Sequence, residues 1–174
     1  MKKKLFAYGS MKKGFMNEWR LKAQTFIGNA TTVEKYTMHP SESFRFPYAV
    51  EKTQEYLLHG ELYEINDELW DTIDLFEGTP KHYYRKEIEV TCKGEKHKAY
   101  IYFRSENNPH PCAYDIHMHT WTKEFEKAGA LLEAFNDQLI LAKLESTPEE
   151  KLDTIEDDLK HLDNLFKNAL GKIK

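Results

Sequence analysis

Residues 84–103, YRKEIEVTCKGEKHKAYIYF, carry the pattern that decides the fold. In the first half, Ile88 and Val90 alternate with charged or polar neighbours, so one face of the predicted strand is apolar and the other is exposed to solvent. The second half, His97–Phe103, is rich in aromatic and aliphatic residues, and KGEK at 93–96 separates the two halves. Two such runs joined by a short turn that contains glycine predict a β-hairpin.

Upstream segments of similar composition, punctuated by Gly and Pro, predict further strands at Lys4–Tyr8, Phe26–Met38 (one strand or two), Phe46–Val50 and Tyr56–Ile65. One helix interrupts them, because apolar residues recur at helical spacing over Leu69–Phe76. Asn66 is its predicted N-cap, and Gly78 its predicted C-terminal stop. The tryptophans are expected in the core or at a seam between packed elements, at Trp19, Trp70 and Trp121.

Beyond His119 the apolar residues step by three and four, which is typical of amphipathic helices. One stripe runs from Phe125 to Ala142 and another from Leu152 to Ala169, with STP at 146–148 between them. We therefore predict a β domain at 1–115 and a C-terminal helical hairpin at 116–174. Apolar stripes do not stay in water, so the hairpin packs on the β domain or on a second copy, and we expect a homodimer.

Composition limits the function classes. The 174 residues carry a formal net charge of −4, and the excess lies in 120–174, with 12 acids against 8 bases. This charge gives no general attraction to nucleic acid, and the N-terminal lysines are interpreted as a solvated face or an anion-attracting rim. Two cysteines are too few for a disulfide framework and predict a cytoplasmic protein. No stretch is apolar for long enough to predict an export signal or a membrane span.

Glu77 is the first candidate for chemistry, since it ends the predicted helix directly before Gly78. The negative end of the helix dipole opposes its ionisation, and burial beside Phe76 and Tyr83 would act in the same direction. Both effects raise the pKa of a carboxyl group toward neutrality, where it can accept and return a proton. The alternative is a solvated glutamate at a frayed helix end.

Residues 8–14, YGSMKKG, form the second candidate, because they follow the first predicted strand. A strand that turns sharply at glycine exposes consecutive backbone N–H groups, and such a concavity binds carboxylates or phosphates. Phe15 and Met16 stand where a nucleotide-hydrolase loop requires Lys-Ser/Thr, and the segment has no dinucleotide fingerprint. An anion site and an ordinary turn are the two interpretations.

Together these segments resemble the gamma-glutamylcyclotransferase-like family, which includes the gamma-glutamylamine cyclotransferases. The matching motifs are YGS at 8–10, GELY at 60–63 and DLFEGTP at 74–80, followed by Tyr83 and Arg85. The resemblance covers about residues 4–104, and nothing of the family is recognised from 105 onward. It implies an α+β fold built on a small mixed β-barrel with flanking helices, to which the C-terminal hairpin is an addition.

The resemblance also implies an intramolecular acyl transfer with no cofactor and no metal. The α-amine of a γ-glutamyl substrate attacks its own γ-carbonyl, which gives 5-oxoproline and a free amine or amino acid. Glu77 would be the general acid and base, and the substrate contacts would be Tyr8, Gly9, Ser10, Met11, Tyr83 and Arg85. Met11 departs from the Leu or Asn that is more usual there, and Asn17 is a further rim candidate. Arg85 suits a structural ion pair as well as a substrate contact.

Two other interpretations compete with this one. A metal site would draw on a cluster within ten positions, but its spacing fits no zinc module and we expect loop residues at His110, Cys112, His117 and His119. A non-catalytic module would keep the cavity as a sensor, or assemble through the C-terminal helices. Formation of 5-oxoproline from γ-glutamyl compounds distinguishes an enzyme from such a module.

Overall fold

The computed structural model describes residues 3–52, 54–105 and 116–144, together with 157, 160–162, 164 and 168. Its elements in chain order are β1 Lys3–Ala7, β2 Thr25–Pro40, β3 Pro47–Val50, β4 Tyr56–Ile65, α1 Trp70–Glu77, β5 Tyr83–Cys92, β6 Glu95–Arg104 and α2 Lys123–Leu144. Short 3-10 helices precede β2 and α1, at Glu18–Arg20 and Asp67–Leu69. The α+β class predicted from the sequence is confirmed.

The strands close into a barrel through the neighbour pairs β1–β4, β4–β2, β2–β5, β5–β6 and β6–β1. The β1–β6 pair is parallel and the others are antiparallel, so the barrel is mixed. Strand β3 pairs with both β2 and β6. The predicted small mixed β-barrel with flanking helices is therefore confirmed.

The predicted β5–β6 hairpin forms, and its turn has the backbone conformation that the KGEK sequence favours. Lys93 and Gly94 both have positive φ, 52° and 84°, as a two-residue turn between twisted strands requires. Strand β2 is one element of 16 residues, with irregularities in its β4 pairing at Phe26/Gly28 and Thr31/Lys35. Such irregularities bend a strand, so β2 can pair with β4, β5 and β3 along its length.

Apolar side chains lie on both faces of the barrel wall, and β1 shows this alternation. Phe6 belongs to the inner cluster, which also contains Trp121, just before α2, and Phe125 of α2. Leu5 and Ala7 belong to the outer cluster, which contains Trp70 and Ile73 from α1. Helix α1 therefore lies on the outer face near the end of β1, and this arrangement positions the cavity described below.

Helix α2 packs its first turns on the barrel's own core, since Phe125 and Ala128 are fully buried there. This is the arrangement predicted as the alternative to packing on a second copy. Most of the predicted second helix, 152–169, lies outside the described residues, as does the proposed domain boundary at 115. Among the described segments, no helix combines the length and the hydropathy needed to cross a membrane.

Candidate active site

A cavity of about 360 Å³ opens where β1 ends. It brings together the turn after β1, the end of α1, the start of β3 and residues of β5 and β6. The lining residues are Phe6, Ala7, Tyr8, Gly9, Ser10, Met11, Met16, Asn17, Arg45, Phe46, Pro47, Phe76, Glu77, Tyr83 and Tyr102. Its walls are mostly apolar, and among the described residues that line it only Glu77 and Arg45 carry a formal charge.

Glu77 is the last residue of α1, as the sequence predicts. Gly78 ends the helix in the left-handed conformation, with φ 66°, and its N–H donates to the carbonyl of Leu75. Burial raises the pKa of Glu77 to about 7, with Asp74 acting in the same direction and Arg20 opposing it. The group is therefore not an ordinary solvated carboxylate but one that exchanges its proton near neutral pH.

The main chain of the turn is the second feature of the cavity. The Lys12 N–H donates to the Gly9 carbonyl at 3.1 Å, and the Asn17 N–H donates to the Ser10 carbonyl at 2.9 Å. The Asn17 amide also donates to the Ser10 hydroxyl, at 3.0 Å. Among the residues that the structure describes, no acceptor takes the N–H of Ser10 or Met11. Two main-chain donors thus belong to residues that line the same cavity as Glu77.

Tyr8 lines the cavity with its ring, but its hydroxyl is used by the barrel. That hydroxyl donates to the Tyr102 carbonyl at 2.8 Å and accepts from the Ala49 N–H at 3.2 Å. Burial raises the pKa of Tyr8 well above its ordinary value, so the phenol stays neutral. Because the hydroxyl is already bonded on both sides, a substrate contact by Tyr8 would have to come from its ring or its main chain.

The GELY motif at 60–63 supports the turn from outside the cavity. The Glu61 carboxylate accepts from the Lys13 N–H at 2.8 Å and from the Tyr63 hydroxyl at 2.7 Å. Gly60 allows β4 to pass close to β1, since a Cβ there would lie 2.6 Å from the Ala7 carbonyl oxygen. The motif therefore fixes the position of the turn rather than contacting a ligand.

Tyr83 and Arg85 share a strand face but not a role. Tyr83 lines the cavity, and burial raises the pKa of its phenol, with Glu77 adding to the effect. Arg85 does not line the cavity, because it lies two residues, about 6.6 Å, further along β5 than Tyr83; of its two predicted roles, the structural ion pair is the one for which the structure shows contacts. Its guanidinium instead pairs with Asp74 at 3.1 Å and covers the Trp70 ring at 4.6 Å. Asp74 also accepts from the Tyr102 hydroxyl at 2.6 Å, so this network anchors α1.

Arg20 is a site residue that sequence reasoning missed. Its guanidinium carbon lies 3.6 Å from the centre of the Phe76 ring and 4.3 Å from that of Trp19. Trp19 itself is 61% exposed, so it does not lie in the core. The contact joins segments that are distant in sequence, and no local pattern around Arg20 points to it.

Lys12 corrects the interpretation of the N-terminal lysines as a solvated face. It is 8% exposed, and its ammonium donates to the Trp121 carbonyl at 2.8 Å. Burial lowers the pKa of Lys12 to about 8, against the opposing effect of Glu61. The residue therefore ties the turn to the segment that leads into α2, instead of presenting a charge to solvent.

The histidine cluster gives no converging ligand set in the part of the chain that is described. His110 and Cys112 lie outside the described residues. His117 bonds the Glu55 carboxylate at 2.8 Å, while the His119 ring lies 5.3 Å from that of His59. Across the described ranges, no group of three or more His, Cys, Asp or Glu side chains is placed to hold a metal ion.

The contact between Arg20 and the end of α1 predicts a shift in a pH profile. Arg20 lowers the pKa of Glu77, so replacing it with Gln raises that pKa. If Glu77 is the general base, as the family resemblance implies, the acid limb of kcat/KM should then move to higher pH, because the basic form of Glu77 appears later in the titration. Arg20→Lys, which keeps the charge, is the matched control and should stay near the parent profile. An Arg20→Gln profile that moves to lower pH contradicts the assignment.

An apolar cavity in a closed barrel that combines a carboxyl group of raised pKa with free main-chain donors has the features of a candidate enzyme site. Comparison with known proteins agrees. A family model described as "Gamma-glutamyl cyclotransferase, AIG2-like" matches residues 5–123. The chain belongs to this family, and it is an enzyme of the gamma-glutamylcyclotransferase type. The match extends past the motifs to the first residue of α2.

Individual relatives show the same likeness. A Methanocaldococcus jannaschii protein named "Putative gamma-glutamylcyclotransferase MJ1514" is 38% identical over 105 residues, which cover 59% of this chain and 85% of that protein. The Danio rerio protein "Gamma-glutamylaminecyclotransferase A" is 29% identical over 114 residues, covering 60% and 71%. The crystal structure of an AIG2-like protein from Mus musculus shares the fold, with a TM-score of 0.61 at 20% identity, covering 70% of this chain and 88% of that one.

Proposed function

We propose that this enzyme converts a γ-glutamyl amine or γ-glutamyl amino acid into 5-oxoproline and the free amine, with Glu77 as general acid and base. The observation that carries the proposal is the shared cavity of Glu77 and the turn at 9–11. The turn offers main-chain donors for the substrate's α-carboxylate, and Glu77 offers a carboxyl group that titrates near pH 7. No cofactor is needed for this reaction.

The proton transfers can be followed atom by atom. Ionised Glu77 takes a proton from the substrate's α-ammonium, and the freed nitrogen attacks the γ-carbonyl carbon to close a five-membered ring. Protonated Glu77 then returns the proton to the leaving nitrogen as the original amide C–N bond breaks. The ring nitrogen, which still carries one proton too many, passes it by way of Glu77 to the released amine, so the products are the neutral lactam N–H and the ammonium form of the amine. The raised pKa of Glu77 brings it closer to that of the substrate's α-ammonium, so the first transfer is less uphill than it would be with an ordinary glutamate.

Proximity supplies much of the rate, because nucleophile and electrophile belong to one molecule. The cavity has only to hold the γ-glutamyl chain folded, which apolar walls and a fixed anion site can do. We propose that the N–H groups of Ser10 and Met11 hold the α-carboxylate, while the ring of Tyr83 supports the chain beside Glu77. Asn17 would act indirectly, since its side chain fixes the Ser10 hydroxyl.

A substrate panel in ¹⁸O-labelled water tests the function. γ-Glutamyl amines and γ-glutamyl dipeptides are incubated with the enzyme, and the masses and amounts of the products are measured by mass spectrometry. Intramolecular attack predicts 5-oxoproline that contains no ¹⁸O, released in equal amount with the amine. Labelled glutamate as the product would show hydrolysis instead, and no product across the panel would favour the non-catalytic module.

Self-association through the C-terminal helices also stays a proposal, as does a cytoplasmic location. In the part of α2 whose side chains are described, 123–137, the apolar stripe is fully buried at Phe125 and Ala128, and Leu132 packs partly against the core. Light scattering of the full chain gives its mass directly. The mass of one chain would reject the homodimer.

A further inference from the structure

The loop 41–46, between β2 and β3, forms one wall of the cavity and is fixed by α2. Phe44 has a positive φ of 53°, which is unusual for a residue with a side chain. Its ring stacks on Phe125 of α2 at 6.3 Å, with an angle of 2° between the planes. Gly129 lets the helix approach the loop, since a Cβ there would lie 2.3 Å from the Phe44 carbonyl oxygen. The loop therefore has one defined position against the helix.

Arg45 follows Phe44 and is the one cationic side chain among the described residues that line the cavity. It also lines a second groove, of about 470 Å³, between the loop and α2. There its guanidinium pairs with Glu133 at 2.8 Å, and its side chain is 31% exposed. One carboxylate does not use all five donors of a guanidinium, so capacity for a second anion remains.

The position of Arg45 tells which part of a substrate it meets. The γ-glutamyl half has to lie against Glu77 and the turn at 9–11, in the buried part of the cavity. Arg45 and its neighbour Phe46, which is 36% exposed, line both the cavity and the outer groove, so Arg45 lies where the two meet. The leaving group is the part of the substrate that would reach this position. It would therefore contact apolar side chains first and the Arg45 guanidinium at its far end.

We propose, on the basis of the function above, that Arg45 determines leaving-group specificity and that the enzyme prefers γ-glutamyl compounds whose leaving amine carries a carboxylate on a short apolar stem. The guanidinium recognises that carboxylate by a charge-assisted hydrogen bond. Glu133 of α2 holds the same guanidinium and competes for it. The C-terminal helix, through this loop, is thereby part of the substrate site.

Two matched substrates test the proposal. γ-Glutamyl-4-aminobutanoate and γ-glutamyl-4-aminobutanamide differ only in a carboxylate against a carboxamide, and the measured quantity is the ratio of their kcat/KM values. We expect the parent enzyme to prefer the carboxylate about tenfold and Arg45→Gln to lose most of that preference. Arg45→Lys should keep part of it. The exposed hairpin variant Lys96→Gln is the control and should leave the ratio unchanged.

The Glu133→Gln variant distinguishes recognition of the leaving group by Arg45 from a purely structural role of Arg45 in holding the loop, called bracing below. Both Arg45→Gln and Glu133→Gln break the same ion pair, so a bracing role moves the ratio in the same direction in both variants. Recognition predicts opposite directions, because Glu133→Gln removes a competing carboxylate and raises the preference two- to threefold, an exposed-pair effect. Equal losses for both substrates in Arg45→Gln would place the α-carboxylate, not the leaving group, on Arg45 and overturn the proposal.

Failure of the proposed function has a different signature. If the parent enzyme cyclises other γ-glutamyl compounds but neither of these two, the specificity proposal is wrong and the function stands. If it forms 5-oxoproline from no γ-glutamyl compound of the panel, the function is wrong, and calorimetric binding of the same two compounds then tests Arg45. A preference for the carboxylate that disappears in Arg45→Gln supports the specificity role. Equal affinities in parent and variant reject it.

Discussion

Replacing Glu77 with Gln should lower kcat by roughly 10²- to 10⁴-fold, the range that general acid–base catalysis contributes. The amide has nearly the same shape as the carboxylic acid but cannot take the proton from the α-ammonium or return it to the leaving nitrogen. Binding should change far less than turnover, because the turn at 9–11 is untouched. Steady-state kinetics on a γ-glutamyl substrate gives both values.

The stability of the same variant provides its control. In the unfolded chain a glutamate has a pKa of about 4.3, whereas burial raises that of Glu77 in the folded state to about 7. Below pH 4 both states are protonated and the group has no effect. As the pH rises from 4.3 to 7 the unfolded state ionises first, so the parent loses stability and the Gln variant does not.

The thermal midpoint of Glu77→Gln, relative to the parent, should therefore rise over that pH interval and then level off. A variant that melts far below the parent at every pH would show that the lost activity reflects a damaged fold. Unchanged turnover in a well-folded variant contradicts the acid–base role.

Gly9→Ala should lower kcat/KM by roughly 10- to 100-fold, with most of the loss in KM. A Cβ at Gly9 would lie 2.9 Å from Cγ of Pro47, closer than real contacts allow. The turn or the start of β3 must shift, and both line the cavity. A shift of the turn moves the N–H groups of Ser10 and Met11 away from the positions in which they would hold the α-carboxylate, so substrate binding weakens more than turnover.

Gly94→Ala is the matched control for this substitution. Gly94 lies in the β5–β6 turn with φ 84° and has open space around it, so alanine strains the backbone without touching the cavity. It should lower the thermal midpoint and leave KM unchanged. If Gly9→Ala has the same profile, with a lower midpoint and an unchanged KM, the turn does not bind substrate.

The sequence predicted the parts of this molecule that depend on local pattern. Neighbouring residues alone determine the two-residue turn of the β5–β6 hairpin and the end of α1 at Gly78. Strand β4 has the predicted bounds, Tyr56–Ile65. The pKa of Glu77 is raised chiefly by burial, which was the effect predicted from its position beside apolar residues. Such features need only the periodicity of a strand or a helix and the preferences of Gly.

The remaining site residues depend on tertiary contacts that no local pattern shows. Arg20 meets Phe76 only because the segment after β1 folds over the end of α1. In the sequence Arg45 is indistinguishable from an ordinary loop residue, because its position at the cavity depends on the barrel fold and on the packing of α2 against its loop. Lys12 was interpreted as solvated because lysine is rarely buried, yet the Trp121 carbonyl and nearby Glu61 compensate for its burial.

The titration of the Glu77 side chain tests the central claim most directly. Protein labelled with ¹³C at the glutamate side-chain carboxyls is titrated by NMR, and the resonance absent from Glu77→Gln identifies the group. The account predicts a midpoint near pH 7, coincident with the acid limb of kcat/KM. A midpoint near 4.3, the value of a solvated glutamate, would contradict it.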